Sequence, residues 1–187
     1  KLTGKSFDTP VDSSNMNPGY WLTMASMIEE DYDAYDGFVI LHGSDTMSYS
    51  ASALSFMLEN LGKPVIFTGS QLPIGDLRTD AKENLITSIQ IAALQEKGKA
   101  VVQEVGLYFE YKLYRANRTT KINEEHLEAF TSLNHTTLVE SGVHLNVHYN
   151  SLFKPYGNSR KKLKVHKNME TNVAVLKLFP GLNPSVL

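Results

Sequence analysis

Short apolar runs alternate with longer segments of helical periodicity along most of the chain. β-branched and aromatic residues fill GFVILHG at 37–43 and PVIFTGS at 64–70, which predicts two short buried strands, each followed by a turn. Residues 105–121 predict a third strand or a hairpin, and VAVLKLFPG at 173–181 predicts a further strand. Because the strands alternate with helices, the pattern indicates an α/β fold with a mostly parallel sheet flanked by helices, in a Rossmann-like layering.

Three amphipathic helices are predicted between these strands. The first begins with Asn17 as N-cap and Pro18 at the first helical position. The second extends over residues 47–61 and is stopped by the glycine and proline that follow, and the third begins at the cap Asp80 and ends near Gly98. The apolar positions expected to face the core are Trp21, Met24, Met27 and Ile28 in the first helix, Met47, Ala51, Leu54, Leu58 and Leu61 in the second, and Leu85, Ile89, Ala92 and Ala93 in the third.

Composition narrows the classes of partner. A chain of 187 residues, 42% of them hydrophobic, can bury a sizeable core and form one globular domain with a second begun. Its 18 basic and 20 acidic side chains give a formal charge of −2, so no strong field draws it to nucleic acid or to an anionic membrane, and we expect a small-molecule partner. The sequence has no cysteine and no apolar run of about 18 residues, which excludes disulfides and predicts no membrane span.

A hydroxyl and a carboxylate follow the first predicted strand directly. Ser44, Asp45 and Thr46 lie between that strand and the second helix, at the sheet edge where α/β proteins bind ligands. One interpretation is that these side chains cap the helix, and the other is that the same helix end holds a carboxylate-bearing substrate. A nucleophilic Ser44 needs a base, and the adjacent Asp45 is poorly directed for that role. Lys121 in NRTTK is a candidate base, because a partly buried lysine can lose its proton; an exposed lysine is the alternative.

The histidines do not indicate a catalytic or metal site, and the common nucleophile, phosphate and nucleotide motifs are absent from the sequence. His144 and His148 alternate with apolar residues as in a strand, and no third ligand stands at metal spacing, so we predict no metal site. His42, just before the turn, is expected to be a hydrogen-bonded structural residue rather than a general base. The sequence contains no G-x-S-x-G elbow, no Walker loop and no G-x-G-x-x-G motif, and no cofactor is expected.

The sequence around the two turns matches the pattern of a known family. DGFVILHGSDTMSYSASALSFMLENLGKPVIFTGSQLP, followed by LRTDAKENL and NRTTK, resembles the bacterial-type L-asparaginases, most closely the cytoplasmic type I group. VDSSNM near the start and LKLFPG near the end extend the resemblance through essentially the whole chain, and the H-G-[ST]-D-T-M motif is highly specific. The resemblance implies an asparaginase N-terminal domain over 1–160, a linker or loop over 161–172, and the start of the smaller C-terminal domain over 173–187.

The resemblance also implies roles for individual residues. Ser13 in DSSNM would grip the substrate α-carboxylate, and Asp45 would hold its α-ammonium. Ser44 would belong with Lys121 and Asp45 to a hydroxyl–lysine–carboxylate triad, and Ser44 and Ser70 in TGSQ would contact the substrate near its scissile amide. Ser44 replaces the family's usual threonine, which keeps the hydroxyl but removes the methyl group that restricts its rotamers.

A second departure concerns the family's TGGTIG-like motif, which carries another catalytic threonine and which Thr3 and Gly4 do not reproduce. Because the chain also begins with Lys rather than Met, we expect it to be a central piece of an asparaginase-like enzyme. The resemblance implies hydrolysis of L-asparagine to L-aspartate and ammonia through a threonine hydroxyl and a covalent acyl-enzyme, by a cytoplasmic homodimer or homotetramer. Two alternatives stay open: an asparaginase-like subunit of a tRNA-dependent amidotransferase, and a non-catalytic amino-acid-binding or assembly fragment.

Overall fold

The computed structural model describes residues 1–154 and 161–186, in which three α-helices and twelve strands form. The helices are α1 (Pro18–Asp31), α2 (Met47–Met57) and α3 (Ala81–Ala92). The strands are β1 (Phe38–Leu41), β2 (Leu58–Glu59), β3 (Val65–Thr68), β4 (Gln95–Glu96), β5 (Lys99–Ala100), β6 (Val105–Phe109), β7 (Lys112–Arg115), β8 (Thr120–Lys121), β9 (Phe130–Thr131), β10 (Val139–Ser141), β11 (Leu145–Val147) and β12 (Lys164–Val165).

The predicted α/β class is confirmed, with a sheet that is parallel only in its first half. Six strands lie in the order β1-β3-β6-β7-β10-β11, and β1, β3 and β6 run parallel. From β6 onward the pairings are antiparallel. The change follows from the chain between β6 and β7, where Glu110 and Tyr111 both have positive φ and form a tight turn instead of a helical crossover.

Helices cover both faces of the sheet and produce a three-layer core. Alternate residues of β3 point to opposite faces, so Val65 and Phe67 pack with α1 and α2, whereas Ile66 packs with α3. The sheet therefore has a largely apolar cluster on each face, one against α1 and α2 and the other against α3. Parallel strands need both faces covered in this way. The carboxyl ends of β1 and β3 therefore stay fixed next to each other.

The first helix forms as predicted and the second is shorter than predicted. Asn17 is the N-cap of α1 and its side chain accepts from the Gly19 amide at 2.9 Å. The helix α2 ends at Met57 rather than at residue 61, because the chain turns through Asn60, which has a φ of 62°. The residues beyond Met57 form β2, which pairs with β12 in a stretch predicted to be a loop or linker. All the residues expected to face the core from these two segments are at least partly buried. Fully buried are Met24, Ile28, Met47, Ala51, Leu54, Leu58 and Leu61, and half-buried are Trp21 and Met27.

The third helix buries a different face from the predicted one. Its buried residues are Asn84, Thr87, Ser88, Ile91 and Ala92, while Leu85 and Ile89 are half-buried and Ala93 is exposed. Polar groups at this face are hydrogen-bonded in part: the Thr87 and Tyr108 hydroxyls donate to Glu83 Oε1 at 2.8 and 2.7 Å. The buried Ser88 hydroxyl has no partner among the described residues. Burial raises the pKa of Tyr108, so its hydroxyl stays a donor.

The predicted strand near the end of the chain is wrong. Residues 171–179 adopt no regular structure and are exposed, and within the described part of the chain no strand pairs with them. A strand needs a neighbour to receive its backbone hydrogen bonds, so apolar sequence alone does not form one. Of the predicted domain boundaries, residues 155–160 and 187 lie outside the described residues. In the described ranges no helix is both long enough and apolar enough to cross a membrane.

Candidate active site

Ser44, Asp45 and Lys121 meet beyond the carboxyl end of β1. Lys121 Nζ donates to Ser44 Oγ at 3.2 Å and to Asp45 Oδ1 at 2.8 Å. The Lys121 side chain is 13% exposed and that of Asp45 is 60% exposed. The amine is therefore shielded by protein, while the carboxylate faces solvent and can receive a solute.

Pairing between β8 and β9 positions the lysine. Thr120 pairs with Thr131 and Lys121 with Phe130 in an antiparallel ladder, and the Phe130 ring packs on Phe109 at the end of β6 with 5.0 Å between ring centroids. The short hairpin is thus anchored to the central sheet. It projects the lysine side chain toward the turn that follows β1.

Capping of α2 by the turn residues, one of the two interpretations of the sequence, is not observed. Thr46 occupies the N-cap position, but its side chain makes no capping hydrogen bond. Its hydroxyl donates instead to the Ser13 carbonyl oxygen at 2.7 Å, and the Ser44 and Asp45 side chains contact Lys121. The side chains of Ser44, Asp45 and Thr46 therefore all bond to residues distant in sequence and not to the start of α2.

Ser13 lies against the same turn. It begins a 3₁₀ helix, Ser13–Asn15, whose N-cap Asp12 accepts from the Ser14 amide at 2.9 Å. That backbone hydrogen bond lowers the pKa of Asp12 and keeps its carboxylate charged. Ser13 is 5% exposed, and a Cβ added to Gly43 would lie 2.6 Å from Ser13 Oγ. Only glycine at position 43 allows this approach.

Ser70 follows β3 in a turn that is held by other residues. Asp80 occupies the predicted N-cap position of α3, but its carboxylate makes no capping bond and instead accepts from the Gln71 and Leu72 amides at 3.0 to 3.1 Å, which stabilises this loop. Asn84 Nδ2 donates to the Gly69 carbonyl at 3.0 Å. Among the described residues, no hydrogen bond joins the Ser70 hydroxyl to Ser44, Asp45 or Lys121.

Two residues that the sequence did not single out connect the parts of the site. Gln71 Nε2 donates to the carbonyls of Glu124 and His126 at 3.0 and 3.2 Å, which joins the turn after β3 to the segment after Lys121. Asn84, fully buried, bonds both that turn and the Glu110 amide. No sequence signal pointed to Asn84, because its face of α3 also carries Thr87 and Ser88 and was not predicted to be buried.

The histidines do not touch this cluster. The structural interpretation of His42 is confirmed, because its ring bonds the Gly43 carbonyl and Ser50 Oγ. His148 Nδ1 bonds the Thr137 carbonyl at 2.8 Å. In the part of the chain that the structure describes, no group of three or more histidine, aspartate or glutamate side chains is arranged to hold a metal ion.

Ser44, Lys121 and Asp45 thus place a hydroxyl beside a lysine and a carboxylate at the ligand-binding edge of an α/β sheet, as in an enzyme site that uses a hydroxyl nucleophile. The family model for the asparaginase N-terminal domain matches residues 3–153. The chain belongs to the asparaginase family.

Similarity to individual proteins extends along almost all of the chain. It is 46% identical over 180 residues to L-asparaginase 1 of Escherichia coli K12, covering 96% of this chain and 51% of that protein. The crystal structure of L-asparaginase I from Vibrio cholerae superposes with a TM-score of 0.84 at 43% identity, covering 96% of this chain and 52% of that one. A glutamyl-tRNA(Gln) amidotransferase subunit of Pyrococcus abyssi is 34% identical, covering 95% of this chain and 41% of that protein. The chain spans about half the length, or less, of these relatives.

Proposed function

We propose that the protein, in its full natural length, hydrolyses the side-chain amide of L-asparagine to give L-aspartate and ammonia. The observation that carries this proposal is the position of Lys121 Nζ, 3.2 Å from Ser44 Oγ and 2.8 Å from Asp45 Oδ1. The names of the asparaginase relatives supply the substrate class.

In this proposal Ser44, which replaces one of the family's active-site threonines, supplies the hydroxyl that attacks the amide carbon. In this step Lys121 acts as the neutral amine: it takes the hydroxyl proton and passes it to the leaving nitrogen, so that the C–N bond breaks and ammonia departs. The remaining aspartyl ester on Ser44 is then attacked by water, which releases L-aspartate and restores the hydroxyl. Because Lys121 is largely shielded from solvent, its contacts with the hydroxyl and the carboxylate are stronger than they would be in water.

Substrate recognition is assigned to the residues around this group. The carboxylate of Asp45 uses Oδ1 for Lys121, which leaves its other oxygen to accept from the substrate α-ammonium. Ser13, packed against Gly43, is proposed to hold the α-carboxylate, and Ser70 to line the pocket near the amide. As the resemblance implies, we also propose a cytoplasmic homodimer or homotetramer, to be tested by light scattering of the purified protein.

Ammonia release from L-asparagine tests the proposed function. We expect ammonia and L-aspartate in equal amounts, with L-glutamine measured in parallel to define side-chain selectivity. Absence of ammonia release together with calorimetric binding of L-aspartate would contradict hydrolysis and favour the non-catalytic binding role. Absence of both would remove the amino-acid site altogether.

A second candidate is an asparaginase-like subunit of a tRNA-dependent amidotransferase, favoured by the 34% identity to the amidotransferase protein from Pyrococcus abyssi. In that role the released ammonia would pass to a charged tRNA instead of to solvent. Retention of the full ammonia yield in solution when the charged tRNA and the other amidotransferase subunits are present would contradict this candidate.

A further inference from the structure

A chain of hydrogen bonds links the first helix to the backbone of the proposed active site. Trp21 Nε1 donates to Ser50 Oγ at 2.8 Å, and Ser50 Oγ lies 2.8 Å from His42 Nε2. His42 Nδ1 lies 2.7 Å from the carbonyl oxygen of Gly43. The chain therefore begins on α1, passes through α2 and ends at the residue before Ser44.

The chemistry of the end groups fixes the direction of every bond. The Trp21 indole can only donate, and the Gly43 carbonyl can only accept, so the proton of the neutral His42 ring lies on Nδ1. Its Nε2 is then an acceptor, which requires the Ser50 hydroxyl to donate to it. Burial lowers the pKa of His42, which agrees with a neutral ring held in one tautomer.

Other contacts restrict the movement of His42 and of the Gly43 carbonyl that it binds. His42 is 8% exposed, and its ring packs on that of Phe67 with 5.8 Å between centroids. The Ser13 side chain lies against Gly43 and leaves no room there for a Cβ. The carbonyl that His42 binds belongs to the same planar peptide unit as the Ser44 amide nitrogen, so its direction sets the direction of Ser44.

We propose that His42 is a positioning residue, whose Nδ1–H bond to the Gly43 carbonyl holds the Gly43–Ser44 peptide so that the Ser44 hydroxyl stays beside Lys121. The inference rests on the proposed function for its effect on turnover. It makes a separate claim about the placement of Ser44, which is measurable without any reaction.

Two substitutions separate the two ring nitrogens. Asparagine places an N–H donor near the position of Nδ1, and glutamine places its amide near the position of Nε2. His42→Asn thus keeps the bond to Gly43 and loses Ser50, whereas His42→Gln keeps Ser50 and loses Gly43. Each variant loses one of the ring's two hydrogen bonds, so we expect similar stability losses in both, which melting curves will check.

The kinetic outcome decides the effect on the reaction. We expect His42→Gln to lower kcat for L-asparagine about tenfold with KM changed less than about threefold, and His42→Asn to keep kcat within about threefold of the natural value. A purely structural role would impair both variants alike. Equal loss in both, or natural kcat in His42→Gln, would overturn the inference.

A spectroscopic measurement separates this inference from the proposed function. The Ser44 amide resonance in ¹H–¹⁵N spectra is expected to move in His42→Gln and to stay near its natural position in His42→Asn. If the natural protein releases no ammonia, the proposed function fails, and these spectra still decide whether His42 sets the placement of Ser44. An unmoved resonance in His42→Gln would overturn that placement.

Discussion

Two turns with the same local sequence, Gly43-Ser44 and Gly69-Ser70, stand at neighbouring strand ends of one sheet and have different surroundings. In the first, the serine hydroxyl contacts Lys121. In the second, the hydrogen bonds go to the backbone of the turn through Asp80 and Asn84.

The difference shows that a serine after a parallel strand becomes a candidate nucleophile only when a distant residue supplies a base beside it. Ser44 acquires a partner because the β8–β9 hairpin brings Lys121 from 77 positions further along the chain. The turn after β3 is connected to that hairpin segment through Gln71 instead. Distant pairing, and not the local motif, distinguishes the two turns.

Removing each hydroxyl should give the largest contrast between the turns. We expect Ser44→Ala to lower kcat by about 10⁴-fold or more, because it removes the proposed nucleophile. Ser70→Ala should lower kcat less than about tenfold, because it alters only the lining of the pocket. Steady-state ammonia release measures both, and equal losses would show that the turns contribute equally.

Loss of the lysine should have the next largest effect. Lys121→Met keeps the length of the side chain and removes its amine, and we expect kcat to fall about a thousandfold. Lys82→Met, which alters an exposed lysine on α3, is the matched control and should leave kcat unchanged. Near-natural turnover in Lys121→Met would remove this residue from the proposed mechanism.

The two glycines should fail in different ways when replaced by alanine. At Gly69 the added Cβ would clash with the His42 carbonyl and with Met47, so we expect a loss of about 3 kcal/mol in the free energy of unfolding. At Gly43 it would displace the Ser13 side chain, so KM should rise about tenfold. Gly75→Ala, in open space, is the control, with a change below about 0.5 kcal/mol. Similar stability losses at Gly43 and Gly69 would erase this distinction.

A smaller effect should appear in the pH dependence of stability. Burial lowers the pKa of His42 in the folded state, so below the ordinary histidine value of about 6.5 the unfolded chain binds more protons. The free energy of unfolding should therefore decline as pH falls through this range, and His42→Asn should decline less. Chemical denaturation at several pH values measures this, and parallel curves for both proteins would contradict the assignment.

Much of the fold was predictable because it depends on local periodicity. The strand β1, the N-cap Asn17 and the burial of β3 all follow from patterns within a few residues. The buried face of α3 was not predictable, because its buried Asn84 is bonded to Gly69 and Glu110, which lie distant in sequence. The same reason explains the strand wrongly predicted over 173–181, since pairing depends on a neighbour that the local sequence does not encode.

The residue types of the site were predictable, but the contacts that hold its loops in place were less so. A hydroxyl and carboxylate after β1 needed a third group, and that requirement together with the family resemblance led to Lys121. The N-cap position of Asp80 was predicted correctly. The bonds from its carboxylate to the turn after β3, and the contacts of Asn84, depend on how distant segments fold together. Local propensity contains no information about such contacts.

The most direct test of the central claim is a double-mutant cycle on kcat/KM with Ser44→Ala, Lys121→Met and both together. If the hydroxyl and the amine act as one unit, the double variant should be about as active as Ser44→Ala alone, since each single change already disables the pair. If instead the two losses multiply, Ser44 and Lys121 act independently, and the proposed cooperation across their 3.2 Å contact is wrong.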